Sequence, residues 1–360
     1  MGQSCSCLKE HIVEESQVIL DKANSKLKQK QDSSVVLFNS KSSIRTISVP
    51  SVIMIQSILR GFLDRRALAP KVRASHHKRM VSDTNSRSLM EIQGVLPDYS
   101  TPLTRSAAKK LGPFKYEKSL NDGVVISKKP PVQLENGAIY IGEWNDKWER
   151  HGRGVLLWKD GSKYEGHWRN DMANGKGRLI HADGDVYDGD WEDDKAKGNG
   201  IFIHADNTRY EGSWLDDKQH GYGIETWPDN SKYEGEYWYG KKHGKGKFLW
   251  SDKSSYEGEF FEGNIHGFGT YIWSDQRKYV GEWKNNKMDG KGTFTWLDGR
   301  CYTGEYLNDK KHGYGVFAWP DGKKYEGYWA DGKQDGKGVL INGKGDRKEG
   351  EWKDGKVVKK

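Results

Sequence analysis

Tyr210-Glu211-Gly212-Ser213-Trp214, followed by His220-Gly221-Tyr222-Gly223, is the stretch on which the reading of this chain turns. Tyr210, Gly212 and Trp214 recur at a spacing of two, which places them on one face of a β-strand rather than on a helix stripe. The same spacing returns at Tyr140, Tyr164, Tyr187, Tyr210, Tyr233, Tyr256, Tyr279, Tyr302 and Tyr325, each with Gly two residues on and Trp, Tyr or Phe four on. Successive tyrosines are 24 residues apart once and 23 thereafter. One period past Tyr325, Lys348 holds the tyrosine position before Gly350 and Trp352, a frayed tenth copy. Midway through each copy stands a Gly-x-Gly, from Gly152/Gly154 to Gly336/Gly338, and turns such as Asp160-Gly161, Asp183-Gly184, Asp298-Gly299 and Asp321-Gly322 close most copies.

Each copy therefore reads as a β-hairpin. In the first strand Tyr233, Gly235 and Tyr237 share a face, with Glu234 and Glu236 opposite. In the second, Gly244, Gly246, Phe248 and Trp250 share a face, and the Phe248 position is Leu, Phe or Tyr in every copy except the one carrying Glu225. Glycine weakens a strand but permits close approach, so a neighbouring ring can lie flat over the backbone. One hairpin cannot bury such a face, and stacking with adjacent copies does. The predicted fold is mainly β: an elongated single-layer twisted sheet of about nine to ten tandem hairpins over 134–360. A largely disordered segment with short helices precedes it.

These residues resemble the MORN repeat (membrane occupation and recognition nexus), whose pattern is Tyr-x-Gly-x-Trp followed by His-Gly-x-Gly. The match covers about 140–354, with Asn174, Lys197, Asp289 and Asp335 in place of His and one extra residue in Asn145–Arg150. The resemblance marks Tyr164, Trp168, Tyr187, Trp191, Tyr210, Trp214, Tyr233, Tyr279, Trp283, Tyr325 and Trp329 as signature aromatics. It also implies a role at membrane junctions, the cell cortex, or ciliary and flagellar assemblies.

Composition bounds the remaining possibilities. The chain has 360 residues, 31% of them charged, and a mean hydropathy of −0.92. No stretch approaches the ~20 apolar residues of a membrane-spanning helix, and Met1–Glu10 has no secretory signal core. Cys5, Cys7 and Cys301 are too few for a disulfide framework and suit a reducing compartment. Residues 1–137 carry 22 Lys/Arg against 12 Asp/Glu, whereas 138–360 carry 37 against 39. The positive charge thus belongs to the leading third, where attraction to acidic partners is expected.

The repeats do not read as a reaction site. His151, His220, His243, His266 and His312 come one per hairpin, roughly 10 Å apart, whereas metal ligands converge within ~2 Å of one point. They read as turn residues before glycine, interchangeable with Asn and Asp. Acidic pairs such as Glu257 and Glu259 recur with the period and face solvent, and no helix follows Gly244-Lys245-Gly246 to make a phosphate loop. No catalytic residue, metal or cofactor is expected.

The leading third carries two motifs. Met1-Gly2-Gln3-Ser4-Cys5-Ser6 fits the pattern for myristoylation of Gly2, with Cys5 and Cys7 beside it as palmitoylation sites. One acyl chain binds membrane marginally and a second makes attachment stable. Residues 1–30 are expected to hold this anchor and a short amphipathic helix. Ile55, Gln56, Arg60, Gly61, Arg65 and Leu68 resemble an IQ motif between Pro50 and Pro70, with Val52, Ile55, Leu59 and Phe62 as the apolar stripe of a helix over 50–70. The resemblance implies calmodulin or a related EF-hand protein as partner, gripping the apolar face while acidic groups meet the arginines. A basic amphipathic helix lying on anionic lipid is the alternative. Residues 71–133 read as mostly disordered linker, with a capping strand near Gly123–Ser127.

Together these features predict a non-enzymatic, membrane-tethered scaffold on the cytoplasmic face of a plasma, cortical or ciliary membrane, with a cytoplasmic pool if acylation is absent. Its array would offer an aromatic groove to an unidentified protein partner, and pairing of two arrays into a homodimer stays open. The alternatives are phosphoinositide binding by the array and a structural spacer in a ciliary or cortical assembly. Nucleic acid is not expected, because stacked rings need accompanying positive charge.

Overall fold

The computed structural model describes residues 90–117 and 123–358. They fall into two compact units, one reaching Lys241 and one starting at Lys242. Both are mainly β, and each is an open antiparallel sheet of tandem hairpins, as the 23-residue period predicts. The first unit holds hairpins such as Lys163–Arg169 with Met172–Ile180 and Val186–Glu192 with Lys195–Ile203. The second holds Lys278–Lys284 with Lys287–Thr295 and Lys324–Ala330 with Lys333–Ile341, among others.

Register follows from the glycines. Gly166 stands opposite Gly154 on one side and Gly177 on the other, and Gly281 likewise opposite Gly269 and Gly292. A file of glycines therefore crosses the strands of each unit. The two glycines of each Gly-x-Gly have different jobs. Gly175, with φ 85°, sits where the pairing slips between Gly166 and Trp168, a bulge that favours a residue without Cβ. Gly177 belongs to the extended file. The residue before the bulge, His220 or His266 for example, lies within a strand, so the turn expected there is corrected to a bulge.

The hairpins close on two-residue turns that the sequence reading did not identify. Asn170 and Asp171 have φ of 48° and 68°, and Asn285 and Asn286 have 49° and 67°, the left-handed pair that suits the strand twist. The expected Asp160-Gly161 turn lies in the other connection, where Gly161 supplies φ 95°.

The expected capping strand is present as Ile126–Lys128, paired with Ile139–Asn145. Within the stretch read as linker stands a helix, α1 (Pro102–Leu111), started by a Thr101–Thr104 capping box with Pro102 in its first turn. Thr101 Oγ1 donates to the Ala182 carbonyl at 3.2 Å, which docks the helix on the sheet.

Candidate functional site

Tyrosine, glycine and tryptophan together build the aromatic face. Signature tyrosines such as Tyr164, Tyr187, Tyr210, Tyr279 and Tyr325 each lie over two glycines of the file. A Cβ placed on Gly177 or Gly292 would come well under 3.0 Å from the ring of Tyr164 or Tyr279. The phenol donates to the carbonyl three residues on, Tyr164 to His167 at 3.0 Å and Tyr187 to Asp190 at 2.9 Å. The indole of the next copy reaches back: Trp191 Nε1 donates to the Gly177 carbonyl at 2.9 Å and Trp214 Nε1 to the Gly200 carbonyl at 3.1 Å. These bonds satisfy polar atoms that would otherwise be costly to bury.

The rings also meet each other edge to face. Tyr164 contacts Trp168 at 5.0 Å within its copy and Trp191 at 5.3 Å in the next, and Tyr187 repeats this with Trp191 and Trp214, both at 5.1 Å. In the second unit Tyr279 contacts Trp283 and Tyr306, and Tyr325 contacts Trp329 and Trp352. Such T-shaped pairs add about 0.5–1.5 kcal/mol each beyond the area they bury. Tyr233, Tyr279 and Tyr325 are fully buried, and Trp168, Trp191, Trp214, Trp283 and Trp329 nearly so. Within each unit the signature aromatics are thus brought onto one face and enclosed there. Burial pushes the phenols of Tyr164, Tyr187, Tyr210, Tyr233 and Tyr279 well above their ordinary range, so they remain hydrogen-bond donors. Glu225, the departure from the apolar position, accepts from the Tyr237 hydroxyl at 2.9 Å.

In the second unit a further row of rings lies beside this core, where the loops meet the second strands. Phe248 stacks on Trp250 at 4.4 Å, and tilted contacts join Tyr271 to Trp273 at 4.6 Å, Phe294 to Trp296 at 4.5 Å and Phe317 to Trp319 at 4.5 Å. Contacts of 5.1–5.4 Å join these pairs into a ladder. Arg277 and Arg300 lie over Trp273 and Trp296. Lys311 is buried among Trp296, Tyr302, Phe317 and Trp329, with its Nζ 4.6 Å from the Trp329 ring. The same position is Arg150 and Lys242 in two other copies and Ala, Gln, Ile or Met in the rest, so the sequence period does not mark it as a buried charge.

The opposite face of the first unit is partly covered by the segment after α1. Arg178 donates to the Gly112 carbonyl at 2.9 Å and lies over Phe114, and Arg153 lies over Tyr116. In the second unit that face leaves Phe268, Tyr314 and Tyr328 about half exposed. Lys247 pairs with Glu257 at 3.1 Å and Lys245 stands opposite Glu259, so the lysine-rich stretch faces carboxylates.

Among the described residues no three His, Cys, Asp or Glu side chains gather as a metal site. Nor is any described helix long and apolar enough to cross a membrane. Gly2, Cys5, Cys7, Ile55, Gln56, Arg60, Gly61, Arg65 and Leu68 lie outside the described residues.

A family model for the MORN repeat matches residues 140–163, 164–186, 187–209, 210–232, 233–255, 256–276, 279–299, 302–324 and 325–347. No curated protein matches the chain. Among solved structures it is similar to the TCP10 domain of Danio rerio CPAP in complex with a peptide of Danio rerio STIL. That likeness has 14% identity over 65% of this chain and 98% of that one, with a TM-score of 0.33. It is also similar to a catalytically inactive virginiamycin B lyase from Staphylococcus aureus, with 15% identity over 65% of this chain and 73% of that one and a TM-score of 0.13.

Proposed function

The chain belongs to the MORN-repeat family, and from that premise we propose that it is a non-enzymatic scaffold whose array presents an extended surface to a protein partner. One observation supports this above others: the exposed rings, Tyr222, Phe268, Tyr314 and Tyr328, are spread over separate hairpins instead of converging on a single pocket. Recognition by such a surface is distributed over several copies. Selecting peptides from a displayed random library on the full-length protein tests it. The reading expects ligands that slow hydrogen exchange in at least two consecutive hairpins; a selection that yields none removes it.

The proposal extends to the leading third, on the support of its sequence patterns and its excess of Lys/Arg. Gly2 carries myristate and Cys5 and Cys7 carry palmitate, holding the chain to the cytoplasmic face of a membrane. The helix around Ile55–Leu68 recruits calmodulin or a related EF-hand protein. Mass spectrometry of the native N-terminal peptide reads the acyl chains directly, and Gly2→Ala is expected to release the protein from membranes. Calmodulin capture by the full-length chain is expected to be lost in Ile55→Asp/Gln56→Ala; equal capture would remove the claim. Phosphoinositide binding by the array is disfavoured by the carboxylates facing Lys245 and Lys247. Phosphoinositide-dependent liposome binding by the Gly2→Ala protein would reverse that ranking.

A further inference from the structure

We infer that the exposed face of the second unit, opposite its aromatic core, pairs with the same face of a second copy of the chain. The two-fold axis runs along the strands, between Lys287–Thr295 and Cys301–Leu307. The inference rests on the scaffold reading only in taking the exposed rings to bind protein, and it names that protein.

One row of this face crosses ten consecutive strands, from Lys241–Leu249 to Arg347–Lys353. Three of its cross-strand pairs join lysine to glutamate: Lys245 opposite Glu259, Lys291 opposite Glu305 and Lys337 opposite Glu351. Between them stand two pairs that carry rings, Phe268 opposite Glu282 and Tyr314 opposite Tyr328. Every one of these side chains is exposed. Tyr222 holds the same position in the first unit, and its phenol donates to the Glu234 carboxylate at 2.9 Å. Where the chain covers this face of the first unit it does so with rings, Phe114 over Arg178 and Tyr116 over Arg153.

Turned end for end, the row is its own complement. With the axis between Lys291 and Glu305, Lys291 meets the partner's Glu305, Lys337 the partner's Glu259 and Lys245 the partner's Glu351. Phe268 meets the partner's Tyr328. Tyr314 meets the partner's Glu282, a contact of the kind that Tyr222 makes with Glu234. In the adjacent row Val280 meets the partner's Val316 and Thr293 the partner's Thr303. Two-fold symmetry makes each contact twice. Within the main row no charge meets its like. An axis along a strand loses this property: along Lys287–Thr295 it sets Glu282 against the partner's Glu305, and along Lys310–Ala318 it sets Lys291 against the partner's Lys337.

The area suits a stable pair. Ten strands ~4.8 Å apart, with a facing stretch of about five residues at ~3.4 Å each, make a patch of roughly 48 by 17 Å. That is about 800 Å² on each copy, the usual share of a specific protein interface. Sheets of equal twist stack face to face in this way, ~10 Å apart.

Sedimentation of the full-length protein tests the pairing by charge exchange. The wild type is expected to form a dimer that dissociates on dilution. Lys291→Glu sets like charges against the partner's Glu305, and Glu305→Lys sets them against the partner's Lys291. Each variant alone is expected to weaken the dimer at least tenfold, because symmetry repeats the repulsion. An equimolar mixture of the two is expected to recover it as a heterodimer, which misfolded chains would not do. His167, Ser213 and Tyr328 stand at the Glu305 position in other copies, so the fold accommodates the change. Without any variant, nitration of Tyr314 and Tyr328 by tetranitromethane is expected to slow at least tenfold from dilute to dimeric protein, with Tyr222 unchanged. A wild type that stays monomeric, a mixture that does not recover the dimer, or nitration that ignores concentration would overturn the inference. Library ligands on the array of a monomeric protein would keep the scaffold and remove the second copy as its partner. A recovered mixture with an empty library would keep the second copy and remove the wider scaffold.

Discussion

At the scale of single residues, glycine and tyrosine act as one unit. A methyl group at Gly292 would intrude on the Tyr279 ring. Gly292→Ala should cost about 1–3 kcal/mol, as overpacking does elsewhere, read as a lower urea midpoint. Two buried charges make pH predictions of opposite sign. Burial raises Asp309 from 3.8 to about 6, although its carboxylate accepts from Met288 N at 2.8 Å. The folded protein then holds this proton more tightly than the unfolded chain, so stability falls as pH rises between about 4 and 6. Asn286 fills the equivalent place, accepting from Ile265 N at 2.7 Å. Asp309→Asn should therefore flatten that slope and add about 1–3 kcal/mol at pH 7. Burial, with Arg300 nearby, lowers Lys311 from 10.5 to about 7. The unfolded chain is the more protonated state between those values, so stability rises with pH there. Lys311→Met, which copies Met288 one period earlier, should abolish that rise; urea unfolding from about pH 4 to about 10 reads both effects. At this scale the sequence disclosed the tyrosines, glycines and tryptophans because they recur. Lys311 and Asp309 stayed hidden because their positions vary among polar, apolar and glycine residues from copy to copy, and burial cannot be read from such a position.

At the scale of the element, the hairpin is held by its turn as much as by its ladder. Asn286 has φ 67°, its side chain accepts from Ile265 N, and its own N–H donates to the Ile265 carbonyl at 2.9 Å. The turn thus fastens each hairpin to the one before it. Gly240, Gly263 and Gly332 fill the same position and keep the backbone bond to the preceding copy. Asn286→Ala should cost about 1–3 kcal/mol, combining left-handed strain with the lost side-chain bond. Asn286→Gly should cost distinctly less, a difference visible in thermal midpoints. These turns escaped the sequence reading because their residues vary, from Asn170-Asp171 to Glu262-Gly263, with no uniform Asn-Gly to mark them. The bulges were hidden for a related reason: a glycine required by φ and a glycine required by a ring look alike in sequence. Helix α1 has its start signal in Thr101-Pro102, but its short polar composition gave no apolar stripe to follow.

At the scale of the whole molecule, periodicity makes a prediction that a globular core would not. Removing residues 279–301, one full period, should leave a cooperative fold with a smaller urea dependence. Removing 279–290 instead should unfold or aggregate the second unit, because an incomplete hairpin puts rings and charges on the wrong faces. Circular dichroism and urea titration distinguish the two deletions. The fold was legible from the sequence because it is written nine times over. The partner was not, since a face that repeats at every copy identifies a surface without identifying what lies on it.

Above all, the signature rings are closed against one another within the array. Nitration of the native full-length protein with tetranitromethane, located by peptide mass spectrometry, tests this most directly. Tyr222, Tyr314 and Tyr328, which are 54%, 49% and 53% exposed, should react. Tyr164, Tyr187, Tyr210, Tyr233, Tyr279 and Tyr325 should stay unmodified until denaturant is added. Nitration of those six at the rate of Tyr314 in the native protein would contradict the closure of the rings.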